Sequence, residues 1–199
     1  MRTAKEQSPA KDKLIHSAVK LMRAKGYEAT SVDDICCESK LTKGSFFHYF
    51  KDKESLAKAA LEQFCGCFSE SLGKGKKDPD PLKTLDGLID RVIEISKEPD
   101  AIHGCLLGNF SQELADTHPE IRKMCADKFD GMTGAVRGLL DAIKAKYKPK
   151  EKVDTASLAD YFLSVIQGGN ILAKARQDLK VYVRNMEHLR SYIHTVFES

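Results

Sequence analysis

Apolar residues recur every three or four positions along most of the chain, which is the period of an α-helix with one buried face. Between Lys11 and Lys25 the positions Leu14, Ile15, Ala18, Val19 and Met22 fall on one side, and Gly26 ends the run as a C-cap glycine would. Val32, Ile35 and Cys36 then give a short second helix its inner face, reaching about Ser39. Thr30 and Ser31 offer N-cap hydroxyls to it, and Asp33 and Asp34 stand in its first turn, where carboxylates favour the helix dipole. Lys40 and Leu41 make a tight break. Thr42 caps again, and Lys43 to about Tyr49 forms a third short helix. A longer one starts at the Asp52 cap and aligns Leu56, Ala60, Leu61, Phe64, Phe68 and Leu72.

Gly73 to Pro81 is Gly, Lys, Asp and Pro, and reads as a loop. Leu82, Leu85, Leu88, Ile89, Val92 and Ile95 outline the next helix, followed by a break at Glu98-Pro99-Asp100 and a shorter helix from His103 to about Ala115. Pro119 opens a long amphipathic helix to Lys146, a charged connection covers Tyr147 to Asp154, and two further helices run roughly over Thr155–Gln177 and Leu179–Phe197. No strand-like alternation or internal repeat interrupts this pattern. The prediction is an all-α protein of about nine helices. A three-helix, N-terminal helix-turn-helix head occupies residues 1–53, with helix 4 connecting from about 53, and a larger helical body occupies residues 54–199.

Composition narrows the class. Hydrophobic residues make up 42% and charged residues 31%, as in a soluble globular domain. No window reaches the roughly 20 apolar residues of a membrane span, and Met1 to Lys13 lacks the apolar stretch of a signal peptide, so a cytoplasmic protein is expected. In that reducing compartment the six cysteines should stay free. Cys36-Cys37 and Cys65-Gly66-Cys67 lack zinc-ligand spacing, so no metal and no cofactor is expected. The net charge of +3 is unevenly spread: residues 1–53 hold 11 Lys or Arg against 7 Asp or Glu, while residues 54–199 hold 21 against 22. A basic head on a near-neutral body suits a DNA-binding domain attached to something else.

Two short helices across a three- or four-residue break, packed on a preceding helix, make a helix-turn-helix. The run Gly26-Tyr27-Glu28-Ala29-Thr30-Ser31-Val32-Asp33-Asp34-Ile35, with Leu41-Thr42-Lys43-Gly44-Ser45-Phe46-Phe47-His48-Tyr49-Phe50-Lys51-Asp52-Lys53-Glu54-Ser55-Leu56 after it, closely resembles the signature of the TetR family of transcription regulators. The resemblance covers residues 11–61. It implies that the third helix lies in the major groove of double-stranded operator DNA. Lys43, Gly44 and Ser45 would approach bases and phosphates, with Phe47, His48 and Tyr49 on the same helix. Thr42, Lys53, and Thr30 or Ser31 would hold phosphates. Phe46 and Phe50 read as core. Two positions depart from the family pattern: Phe47 replaces a usual tyrosine and loses a phosphate donor, and Lys40 replaces a turn glycine, where a left-handed backbone strains a side chain.

The body resembles the family's ligand domain in helix count. The fragment Gly104-Cys105-Leu106-Leu107-Gly108-Asn109, followed by Ser111-Gln112-Glu113-Leu114, is similar to a TetR subgroup in which some members respond to electrophiles through a cysteine at the place of Cys105. A thiol near a helix N-terminus, with His103 nearby, gains thiolate character, whereas a buried thiol is an inert small hydrophobe. Phe64, Phe68, Phe110, Phe129, Met132, Tyr161 and Phe162 are candidates to line a pocket for an unknown small-molecule effector, or are plain core. Ile166, Gly168, Gly169, Leu172, Tyr182, Leu189, Tyr192, Ile193 and Val196 are candidates for a homodimer interface, the Gly168-Gly169 pair being explained by close approach of another group. These features point to a ligand-responsive regulator, most simply a repressor that releases a palindromic operator, and not to an enzyme. A thiol enzyme using Cys105 with His103 or His118 lacks an orienting third residue, and an architectural DNA-binding protein has no use for so long a body.

Overall fold

The structure is a computed structural model and describes residues 8–73 and 78–198, without the side chain of Leu72. Among the described residues there are nine α-helices and no strand: α1 (Pro9–Lys25), α2 (Val32–Ser39), α3 (Lys43–Tyr49), α4 (Lys53–Gly73), α5 (Pro81–Ile95), α6 (Leu106–Leu114), α7 (Pro119–Tyr147), α8 (Thr155–Arg176) and α9 (Leu179–Glu198), with one 3₁₀ turn at Pro99–His103. None of them is long and apolar enough to cross a membrane. Residues 74–77 of the predicted linker between α4 and α5 lie outside the described residues. The chain forms two compact units. One comprises the N-terminal part to Phe68 together with Leu106–Lys123; the other comprises Ser69–Cys105 and Met124–Ser199.

In the first unit α1 begins with Pro9 at its first turn and stops at Gly26, whose φ of 89° lies where a side chain is strained. Leu14, Ile15, Ala18 and Met22 form its buried stripe, against which α2, α3 and α6 pack. The capping box of α2 is complete: the Ser31 hydroxyl accepts from the Asp34 amide at 3.1 Å, and the Asp34 carboxylate accepts from the Ser31 amide at 2.8 Å. Lys25 and these Ser31 groups hold the Asp34 carboxyl far below its ordinary range. The chain leaves α2 through Lys40 at φ 57°, with the Leu41 amide donating to the Cys36 carbonyl and the Lys40 amide to that of Cys37. This is a Schellman end built on lysine in place of glycine. Thr42 caps α3 by accepting from the Ser45 amide at 3.1 Å, and Asp52 caps α4 by accepting from the Ser55 amide at 2.7 Å.

In the second unit α8 and α9 lie side by side, α5 packs on α9, and the 3₁₀ turn packs on α8. Asp80 caps α5 and also accepts from the Tyr147 hydroxyl at 2.8 Å, with Lys146 at 2.9 Å, which lowers its carboxyl to about 2. The helix expected from His103 begins at Leu106 instead, because Gly104, with φ 77° and ψ −159°, closes the 3₁₀ turn and cannot continue into a helix. Gly169 is explained within the chain: a Cβ there would stand 3.0 Å from Cδ2 of Tyr182. Gly168 faces open space.

His194 on α9 is held between two carboxylates. Its Nε2 lies 3.0 Å from Asp86 of α5 and its Nδ1 lies 3.1 Å from Glu198. Only the imidazolium donates from both nitrogens, so Asp86 chiefly, and Glu198 after it, raise the His194 pKa above its ordinary value. Arg190 faces the same Asp86 at 3.9 Å. A raised folded-state value means that this contribution to stability is complete below about pH 6.5, the unfolded value, and is lost as pH rises through the folded one. The thermal midpoint of the wild type should therefore fall more between about pH 6 and about pH 8 than that of His194→Gln. Parallel pH curves for the two proteins, measured by circular dichroism, would remove this role.

Candidate nucleic-acid interface

A seven-residue helix is far too short to be stable alone, so α3 exists because its neighbours hold it. Phe46 is fully buried and Phe50 nearly so, their rings 6.0 Å apart, and Lys11 of α1 sits over the Phe50 ring at 5.9 Å. With these two rings pointing inward, the helical period turns Lys43, Gly44, Phe47 and His48 outward, Ser45 being half-buried. Phe47 is 56% exposed, with its ring edge-on to Phe46 at 5.1 Å. Gly44 has only the Thr42 hydroxyl within 4 Å of a built Cβ, so its backbone is open to a surface laid against it. The result is a rigid, capped helix end presenting one cation, one imidazole, one hydroxyl, one bare backbone and one ring. That combination fits groove edges and phosphates.

The other predicted contacts fall into two groups. Thr42 and Ser31 are exposed at the N-termini of α3 and α2, where amides and hydroxyls can meet a phosphate. Thr30 is corrected: it is 0% exposed and its hydroxyl donates to the Gly26 carbonyl at 2.6 Å, so it fastens the corner after α1 and presents nothing outward. Lys53 is likewise engaged inside the unit, donating to the Tyr27 carbonyl at 2.9 Å and lying 4.0 Å over the Tyr27 ring. The Tyr49 hydroxyl pairs with that of Ser8 at 2.8 Å.

Two partners were not foreseen. Asp33 of α2 pairs with Lys43 at 2.8 Å and raises its pKa, so any other anion that this lysine is to hold has to displace a carboxylate. The spacing from 33 to 43 crosses the turn, and only the folded corner brings the two together. The second is Glu113 of α6, which accepts from the amides of Tyr27 and Glu28, both at 2.8 Å. The Tyr27 ring is also edge-on to Phe110 and His118, at 6.2 and 5.2 Å.

The proposed effector residues do not fall in one unit. Phe64, Phe68 and Phe110 belong to the first, where Phe110 is core and Arg23 stands 5.2 Å from the Phe64 ring. Phe129, Met132, Tyr161 and Phe162 belong to the second, where Phe162 is core and Tyr161 is 47% exposed, stacked edge-on with Tyr192. Tyr161 is thus a surface residue and not a pocket wall within its unit. Cys105 is half-buried directly before α6, and His118 is turned to Tyr27 and Thr117. Of the dimer candidates, Ile166, Gly169, Tyr182, Leu189 and Ile193 are buried inside the subunit, which corrects their assignment. Leu172 at 40% and Tyr192 at 49% remain exposed, with Gly168 open and Val196 half-buried. Ile171 and Tyr161 join them as exposed large apolar residues of α8. Among the described residues no group of His, Cys, Asp and Glu could hold a metal ion.

Residues 14–60 match the TetR family of bacterial regulatory proteins, and residues 81–189 match the tetracyclin repressor-like C-terminal domain. The chain is 27% identical over 190 residues to an HTH-type transcriptional regulator encoded in the lacX 3′ region of Lactococcus lactis subsp. lactis, covering 94% of this chain and 95% of that one. It is 23% identical over 195 residues to the HTH-type transcriptional repressor DhaR of Mycobacterium sp. (strain GP1), covering 97% and 93%. In fold it is similar to a TetR transcriptional regulator from Chloroflexus aurantiacus J-10-FL, with a TM-score of 0.83 at 24% identity over 92% of this chain and 93% of that one.

Removing the Lys43 cation should weaken binding to the DNA upstream of the protein's own gene and lower the salt slope by about one. Asp33→Asn, which frees Lys43 from its exposed partner, should tighten it by a factor of a few. His48→Ala should weaken binding while leaving the fold intact. Fluorescence anisotropy across a salt series checks all three, and unchanged binding in Lys43→Ala and His48→Ala would displace the interface from α3.

Proposed function

The chain belongs to the TetR family of bacterial regulatory proteins and is a DNA-binding transcriptional regulator, and on that premise we propose that it is a repressor which grips a palindromic operator as a homodimer and releases it when a small molecule or an electrophile engages the C-terminal part. The observation that carries this reading is α3: a short helix locked by Thr42, Phe46 and Phe50, with Lys43, Gly44, Phe47 and His48 turned outward. Residues 1–53 act as the DNA-binding head, and residues 54–199 serve effector binding and dimerisation. The protein works by binding and not by catalysis, in the cytoplasm where operator DNA lies.

Dimerisation through α8 and α9 is supported by Tyr161, Ile171, Leu172 and Tyr192, large apolar side chains exposed together on this pair of helices. Two-fold pairing of the same patch requires a palindromic operator with half-sites on one DNA face. The effector acts by favouring a body conformation in which the two heads no longer fit that spacing, a shift of population and not competition for the DNA. The similarity of the mycobacterial repressor DhaR supports repression as the direction of control.

Cys105 is the proposed point of electrophile attack, supported by its partial exposure and its place immediately before the first residue of α6. Operator DNA bound by wild type should be released on treatment with N-ethylmaleimide, and Cys105→Ser should retain it. Equal release from both proteins discards the thiol, and absence of salt-sensitive, sequence-specific binding by untreated wild type discards the operator reading itself.

A further inference from the structure

The corner that joins α1 to α2 is held by a residue far away in the chain. After Gly26, the amides of Tyr27 and Glu28 share one acceptor group. The Glu113 carboxylate accepts one with each oxygen, at 2.8 Å and 2.8 Å. The fit is close enough that a Cβ on Gly26 would stand 2.9 Å from Oε2 of Glu113. One turn earlier on α6, Asn109 donates to the Arg23 carbonyl at 3.2 Å, at the end of α1. α6 therefore receives the last turn of α1 with a donor and the start of the corner with an acceptor. Thr30 completes the corner by bonding back to Gly26, and Ser31, the next residue, is the N-cap of α2.

We propose that Glu113 is a positioning residue for operator binding: by holding the Tyr27 and Glu28 amides it sets the angle at which α2, and α3 packed on it, are presented to DNA. Glu113 touches no base or phosphate in this role. The chemistry favours a carboxylate for the task, because two parallel N–H groups need two acceptor oxygens, and an ionised acceptor makes the stronger bonds. A glutamine supplies one acceptor and turns an NH₂ group against the second amide. An alanine supplies none.

The sign of the effect separates this role from plain electrostatics. Removing a negative charge from a DNA-binding protein ordinarily strengthens its grip on the phosphates. Loss of positioning weakens it. Glu113→Ala should bind the DNA upstream of its own gene about ten-fold more weakly than wild type, with Glu113→Gln between the two. The salt slope should stay unchanged, because no phosphate contact is lost. Coupling is reciprocal, so operator binding by wild type should slow hydrogen exchange at the Tyr27 and Glu28 amides.

Anisotropy titrations of the three proteins, each shown to be folded by a cooperative thermal transition, give the first test. Exchange in the wild type, with and without operator, gives the second and needs no variant to fold. Graded weakening together with slowed exchange supports the inference. Equal or tighter binding by both variants, or exchange that DNA leaves unchanged, overturns it. The inference rests on operator binding by the protein itself, so a wild type that fails to bind identifies failure of that reading and not of this one.

Discussion

Backbone amides that leave a helix and enter no other element must still find acceptors, and at the corner of Tyr27 and Glu28 the acceptor is a carboxylate 86 and 85 positions away. Bringing chain segments so distant together costs about 4 kcal/mol of loop entropy. Two amide-to-carboxylate bonds, each worth roughly 1.5 to 3 kcal/mol when shielded and less at an exposed glutamate, offset that at best. The surplus has to come from apolar burial. Leu107, Phe110 and Leu114 on α6 supply it, with the Tyr27 ring set edge-on to Phe110. Burial pushes the Tyr27 hydroxyl up to about 12, so the ring stays neutral while Lys53 lies across it. Without α6 the corner would carry unsatisfied amides and an uncovered tyrosine.

The interface depends on that corner at one remove. α3 has almost no stability of its own, so its outward residues are only as well aimed as the buried rings and caps behind them. Phe46 and Phe50 fix its rotation, Thr42 fixes its start, and the Schellman end at Lys40 fixes its angle to α2. What α3 leaves outward is a small set: Lys43, already partnered by Asp33, the Gly44 backbone, His48, and a half-exposed Phe47 ring. A phenylalanine there offers a ring face but no hydroxyl, which favours apolar contact such as a thymine methyl group over a phosphate bond.

Local features were legible in the sequence wherever the deciding partners are close in the chain. Ser31, Thr42, Asp52 and Pro119 announced helix starts, because caps are written within four residues, while the left-handed turn at Lys40 was expected only from the glycine that the family pattern has there. Thr30 shows the limit: two adjacent hydroxyls both suited the cap, and only packing decided that one would face inward to Gly26. On α8 and α9, Ile166, Gly169, Tyr182, Leu189 and Ile193 lie inside the subunit for a related reason. An amphipathic helix flanked by one partner inside the subunit and another face outside carries two apolar stripes, and periodicity does not tell which is which. Tyr182, Leu189 and Ile193 took the inner stripe, leaving Tyr161, Ile171, Leu172 and Tyr192 on the surface. Glu113 was illegible altogether, since nothing in a single glutamate on a predicted helix reveals two amides waiting elsewhere.

The compact unit that contains α3 is assembled from two stretches of chain, one ending at Phe68 and the other running from Leu106 to Lys123. The α3 helix is therefore not a cassette that can be cut out at its own ends. A hybrid regulator joined anywhere between those stretches would take its α1–α2 corner from one parent and its α6 acceptor from the other. Its heads would be aimed by a mismatched pair. Transplanting operator specificity onto another body, or this body onto another head, calls for exchanging both stretches as a matched set.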